Sequence, residues 1–176
     1  MTNPKPDKTV LARARDIRLL TLDVDGVLTD GRLHYGPNGE HSKSFHVRDG
    51  HGIKSILAQG IHIAVISGRQ SAITSQRMAE LGIPQVFQKI SDKLPVCKAL
   101  AEELAIPLEQ VAHVGDDTPD APVMRAVGLG IAVADAHPDA QAAADWQTQL
   151  AGGQGAVREV CDLLLAARGA TTSDKA

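Results

Sequence analysis

Short apolar runs alternate with longer amphipathic stretches along this chain, and the runs end in glycine, serine or aspartate. The alternation predicts an α/β fold: a doubly wound, mainly parallel, Rossmann-like sheet with helices on both faces. One interruption, Gly31 to Val47, sets Gly36-Pro37-Asn38-Gly39 between two extended segments and predicts a small β-hairpin insertion. It is too short to fold into a lid, so no cap domain is expected.

The first strand runs from Ile17 to Leu22, where Leu19, Leu20 and Leu22 form a buried apolar run closed by Asp23-Val24-Asp25-Gly26. Gly26 lets the backbone turn sharply beside the two carboxylates. Arg32–Tyr35 and Ser42–Phe45 flank the Asn-Gly turn as hairpin strands. Asp49–Gln59 reads as a helix stopped by Gly60, Ile61–Ile66 as a strand, and Ser71–Leu81 as a helix ended by Gly82. Val86-Phe87 is a short strand, Lys93–Leu104 a helix, Val111–Val114 a strand, Pro119–Val127 a helix and Ile131–Val133 a strand. Pro138–Ala144 is helical, Trp146–Leu150 is the last short strand, and Ala156–Ala167 is an amphipathic closing helix. The expected organisation is an N-terminal segment 1–16, one domain over 17–168 with the hairpin at 31–47, and a flexible tail 169–176 that is small and polar from Thr171.

A chain of 176 residues with 43% apolar content is long enough to bury a sizeable core. No apolar stretch reaches membrane-spanning length, and Met1 to Lys8 lacks the apolar centre of a secretory signal, so neither a membrane partner nor export is expected. Cys97 and Cys161 fall in predicted helices without metal-ligand spacing, which fits buried thiols in a reducing, cytoplasmic setting. A net charge of −3 argues against a general nucleic-acid surface, so an acidic substrate needs a local basic cluster.

In open parallel sheets, ligands sit beyond the carboxyl ends of the strands. Asp23 and Asp25 stand there, and such a pair suits a hard cation such as magnesium while leaving an oxygen free to attack phosphorus. A polar turn is the ordinary alternative. A calcium loop fails at Val27 and Leu28, where oxygen ligand and glycine are required. Three further signals follow later strands. Ser67-Gly68-Arg69 offers a hydroxyl and N–H groups at a helix start, a natural anion site or a plain N-cap. Lys93 opens the next helix, as a phosphate contact or a solvated charge. Gly115-Asp116-Asp117-Thr118-Pro119-Asp120 adds carboxylates, or a capping turn. Together they place two acidic pairs, a hydroxyl and a lysine at one sheet edge, the inventory of metal-assisted phosphoryl transfer through an aspartyl intermediate.

With Asp23-Val24-Asp25-Gly26-Val27-Leu28-Thr29, Ser67, Lys93 and Gly115–Asp120 in this order, the chain resembles the haloacid dehalogenase superfamily of phosphohydrolases. The hairpin, His46-Val47-Arg48-Asp49-Gly50 and Ala156–Leu164 are similar to the capless 3-deoxy-D-manno-octulosonate 8-phosphate phosphatases, over Ile17 to Arg168. The resemblance implies Asp23 as nucleophile, Asp25 as general acid and then base, and Ser67 and Lys93 as holders of the phosphoryl oxygens. It implies magnesium on Asp23, the Asp25 carbonyl and Asp116, with Asp117 and Asp120 behind. It implies hydrolysis of that sugar phosphate in lipopolysaccharide sugar synthesis, by a homotetramer. The sugar acid would meet Asp25, His46, Val47, Arg48, Asp49, Gly50, Lys54, Arg69, Arg77 and Lys93. For Arg48 and Arg69 a bidentate anion contact is favoured over solvation; for Lys54 and Arg77 both readings stand. The family is expected to carry Asn, Arg and often Arg where this chain has His46, Lys54 and Gln154. A nine-carbon keto-acid phosphate and a non-catalytic assembly role remain as alternatives.

Overall fold

The chain is described from residue 6 to residue 169 by a computed structural model. Six parallel strands form the central sheet: β1 (Leu19–Leu22), β4 (His62–Ile66), β5 (Gln85–Phe87), β6 (Val111–Gly115), β7 (Leu129–Ala132) and β8 (Trp146–Gln147), in the order β5-β4-β1-β6-β7-β8. The first strand therefore lies inside the sheet, with Leu19 beside His62 on one flank and Val111 on the other. A separate antiparallel hairpin joins β2 (His34–Gly36) to β3 (Gly39–Ser42). The helices are α1 (Lys8–Asp16), α2 (Val47–Ala58), α3 (Ala72–Leu81), α4 (Lys93–Glu103), α5 (Ala121–Ala126), α6 (Pro138–Gln141) and α7 (Ala156–Ala167).

Successive β1 residues point to opposite faces, as the pleat requires. Leu20 and Leu22 join the larger apolar cluster with Ile53 and Ile56 of α2, Met78 of α3 and Val160 and Leu164 of α7. Leu19 joins the other, with Cys97 and Leu100 of α4 and Val123 of α5. The result is a doubly wound three-layer α/β sandwich. Both cysteines are buried and unpaired, and burial pushes the Cys97 thiol up to about 11.

Several boundaries differ from the expected ones. Residues 8–16, expected only within a leading segment, form α1, whose Val10 and Ala14 are buried. Asp7 caps it, accepting from the Val10 N–H at 2.8 Å. The hairpin turns at Pro37-Asn38, inside the expected Gly36–Gly39 window, but its strands lie closer to the turn than Arg32–Tyr35 and Ser42–Phe45. Both primed turns need positive φ at the first central residue, and the Pro37 ring holds φ negative there. The α2 helix starts two residues early because the His46 imidazole serves as its cap, Nδ1 accepting from Arg48 N–H at 3.1 Å. The α5 helix is shorter than Pro119–Val127 because the preceding residues wrap around the Asp120 carboxylate. Of the tail expected at 169–176, all but Gly169 lies outside the described residues.

Candidate active site

The β1 ladder runs one residue past its last leucine, the Asp23 N–H donating to the Val114 carbonyl at 3.1 Å. The position of Asp23 is thus set by the sheet itself. The next residues fold around Thr29, whose hydroxyl donates to the Val24 carbonyl at 3.4 Å and accepts from the N–H groups of Gly26 at 3.4 Å and Gly31 at 3.3 Å. Gly26 has φ +90°, and a Cβ there would lie 2.0 Å from Asp116 Oδ2. Only glycine lets the first and last acidic motifs meet. From the other side, Gly153 N–H donates to the Val27 carbonyl at 2.9 Å, bracing the loop against the approach to α7.

Asp23, Asp25, Ser67, Gly68, Arg69, Lys93, Asp116, Asp117 and Asp120 line one cavity of about 320 Å³, together with Ile90, Ser91 and Pro119. Lys93, 3% exposed, holds Asp23 Oδ2 at 2.8 Å and Asp120 Oδ1 at 2.7 Å. Burial works against its charge, yet the two carboxylates outweigh that and raise its pKa. Asp120 is fully buried and satisfied: Oδ1 also accepts from His113 Nε2 at 2.9 Å, and Oδ2 accepts from the Asp116 and Asp117 N–H groups. Burial opposes its ionisation, but His113 and Lys93 hold its pKa well below the usual carboxylate range. His113 Nδ1 in turn meets the Thr21 hydroxyl at 2.8 Å.

Oxygens of Asp23, Asp116 and Asp120 lie within 4.8 Å of one another, against a single lysine. Burial first, then the charges of Asp23 and Asp120, push Asp116 up to about 8. Asp23 is raised chiefly by burial, with Lys93 opposing. That excess of negative charge, made of hard oxygen donors, fits a divalent cation. Asp120 has two partners on each oxygen, whereas each Asp23 oxygen has one, Oδ1 accepting from Val24 N–H at 2.7 Å and Oδ2 meeting Lys93, so Asp23 and Asp116 keep lone pairs open to such an ion. Asp117 is exposed, its Oδ1 accepting from Thr118 N–H at 2.7 Å.

Ser67 is 3% exposed at the end of β4, and its Oγ accepts from Arg69 N–H at 3.3 Å. It is not a helix start as expected. That place belongs to Ser71, which caps α3. Asp25 meets two cations. Its Oδ1 pairs with the Lys43 ammonium and its Oδ2 lies 3.5 Å from Arg69 Nε. Arg69 also donates to the Tyr35 hydroxyl at 3.0 Å.

Lys43, Glu40 and Tyr35 carry no motif, and sequence reading passes over them. So it does His113, hidden inside an apolar strand. Their contacts depend on how the hairpin and β6 are placed in three dimensions.

The other expected sugar contacts do not line this cavity within one chain. His46 caps α2 and Val47 is 80% exposed. Arg48 lines a different cavity, with Gln149, Leu150, Gly155, Arg158, Glu159 and Asp162. Asp49 is buried, with Oδ1 accepting from the Arg158 N–H at 2.7 Å at the start of α7, and burial raises its pKa. A Cβ on Gly50 would meet Arg77 Nη2 at 2.5 Å, so this glycine makes room for Arg77, which pairs with Glu80 at 3.3 Å. Lys54 is exposed on α2.

A family model of haloacid dehalogenase-like hydrolases matches residues 82–159. The 3-deoxy-D-manno-octulosonate 8-phosphate phosphatase of Escherichia coli K12 is 55% identical over 160 residues, covering 91% of this chain and 85% of that protein. A crystal structure of the Yersinia pestis phosphatase of the same name aligns with a TM-score of 0.90 at 48% identity, covering 92% and 88% of the two chains. Another, from Moraxella catarrhalis in complex with magnesium ion, phosphate ion and KDO, aligns with a TM-score of 0.90 at 40% identity, covering 93% and 94%. With its fold, its acidic cluster and these likenesses in agreement, the chain belongs to the haloacid dehalogenase-like hydrolases, in the family of 3-deoxy-D-manno-octulosonate 8-phosphate phosphatases.

Proposed function

We propose that this chain is a magnesium-dependent phosphomonoesterase that releases phosphate from 3-deoxy-D-manno-octulosonate 8-phosphate. The observation that carries the reading is the meeting of Asp23, Lys93 and Asp116 at the end of β1, in a chain 40% identical to a phosphatase solved with magnesium, phosphate and KDO. An Asp23 carboxylate oxygen attacks phosphorus while Asp25 gives a proton to the departing sugar oxygen. Asp25 then takes a proton from the water that opens the aspartyl phosphate, the reversal that general acid–base catalysis requires. The Ser67 hydroxyl and the Lys93 ammonium hold the phosphoryl oxygens, whose charge dominates the problem. Magnesium, held by Asp23, the Asp25 carbonyl and Asp116, would neutralise charge on the transferring group. Asp117 and Asp120 support that set, Asp120 by fixing Lys93. Arg69 stands nearest for the sugar carboxylate, while Arg48, Lys54, Arg77 and the 46–50 segment would reach substrate only in an assembly.

That assembly is the second part of the proposal: a cytoplasmic homotetramer. Leu33, Tyr35 and Val47 are 43%, 64% and 80% exposed around a two-stranded hairpin tied to its own chain only by polar contacts of Tyr35, Glu40 and Lys43 among those described, and such a hairpin is marginal by itself in water. Two buried free thiols suit a reducing compartment.

Phosphate release measured across eight- and nine-carbon keto-acid phosphates, with and without magnesium, tests the reading. The eight-carbon substrate should be preferred, and Asp23→Asn should keep the fold and lose turnover, because an amide cannot form the acyl phosphate. Substantial activity in a homogeneous Asp23→Asn preparation would sink the assignment.

A further inference from the structure

The hairpin reaches the acid–base carboxylate of its own chain. Lys43 follows β3, its side chain is only 1% exposed, and its ammonium pairs with Asp25 Oδ1. Glu40 Oε1 holds the same nitrogen at 3.3 Å, and Glu40 is itself fixed by the Ser71 hydroxyl, which donates to Oε2. The other Asp25 oxygen, Oδ2, faces Arg69 Nε at 3.5 Å, and that nitrogen makes no hydrogen bond among the described residues. An ammonium has three donors and no acceptor. Oδ1, paired with Lys43, is therefore closed to a proton on that side, whereas Oδ2 faces the donor-only guanidinium at 3.5 Å without a hydrogen bond and is the oxygen left to carry one.

We propose that Lys43 is a positioning residue for Asp25, fixing which carboxyl oxygen passes the proton during phosphoryl transfer. The inference rests on the acid–base role given to Asp25 above. In the first step the Asp23–phosphorus bond forms as the phosphorus–sugar oxygen bond breaks, and that oxygen takes the proton from Oδ2. In the second, water oxygen bonds to phosphorus, the acyl-phosphate bond breaks to return the Asp23 carboxylate, and Oδ2 takes the water proton. Glu40 keeps Lys43 in place, so the insertion is a working wall of the site within one subunit.

A lysine that only held the fold together would serve every phosphate ester alike. Proton delivery does not: a sugar alkoxide needs a proton to leave, and p-nitrophenolate does not. The test is single-turnover phosphoryl transfer by the full chain with magnesium, from 3-deoxy-D-manno-octulosonate 8-phosphate and from p-nitrophenyl phosphate. Lys43→Met should lower the sugar-phosphate rate about ten- to hundredfold, a part of what acid–base help supplies, while the aryl rate falls less than about threefold. Lys43→Arg should recover part of the loss. Glu40→Gln should show the same selectivity more weakly, and it decides the matter if Lys43→Met does not fold. Equal loss on both esters, or loss on neither, overturns the positioning role. If Asp25→Asn still abolishes sugar-phosphate turnover in that case, the acid–base assignment stands. An Asp25→Asn variant with the parental rate overturns both.

Discussion

Lys93 stands between Asp23 and Asp120 with almost no access to water, and it is the one cation paired with Asp23 among the described residues, while Asp120 also has His113. Breaking a buried pair leaves the partner charge stranded, at a cost of about 3–5 kcal/mol. Lys93→Met should therefore lower the metal-free stability by about that amount in urea unfolding, besides abolishing turnover. A stability within about 1 kcal/mol of the parent would refute the dependence. This residue is legible in the sequence because short-range grammar marks it: a lysine opening a helix just past a strand end. Asp23, Asp25, Ser67 and Asp116 share that grammar. Lys43 does not, since its meaning comes from folding a hairpin back onto residue 25, a contact that no local pattern encodes. His113 is masked by the apolar strand around it, where a buried imidazole looks like any core residue.

Among the elements, the strands of the parallel sheet are the most legible, because a short apolar run bounded by glycine and aspartate fits little besides a buried strand. The α7 helix keeps its expected limits, since most of one face is apolar and buried. The α1 helix escapes sequence reading because only Val10 and Ala14 are buried in a segment rich in charge. Its start rests on a single capping carboxylate, and loss of such a cap costs about 1 kcal/mol. Asp7→Ala should lower thermal stability by about that much without changing turnover, as calorimetry and a phosphate-release assay would record. The hairpin is legible as an insertion and in the place of its turn, but not in its strand limits, which close in on Gly36 and Gly39.

At the scale of the molecule, the acidic cluster makes stability depend on both pH and metal. Burial and the neighbouring carboxylates push Asp116 up to about 8, so the folded, metal-free chain holds its proton more tightly than the unfolded one. Between the ordinary carboxylate range and about pH 8 the folded state binds more protons, and stability falls as pH rises through that window. Thermal unfolding in chelator from about pH 5 to about pH 8 should trace that decline. Magnesium at about a hundred times its dissociation constant should add about 2.7 kcal/mol and flatten the slope, since the cation replaces the proton. Light scattering at working concentration should return the mass of four chains; a fully active monomer would refute the assembly.

The place of β1 between β4 and β6 has a consequence for hydrogen exchange. Amides in the most enclosed strand open only with the whole fold, whereas in the unassembled chain a two-stranded ribbon at the surface frays first. The backbone that aims Asp23 is thus among the last parts of the molecule to admit deuterium, and the hairpin carrying Lys43 is among the first. Under mild denaturant, control over the leaving group should fade while the nucleophile remains aimed, so aryl phosphates would outlast sugar phosphates as substrates.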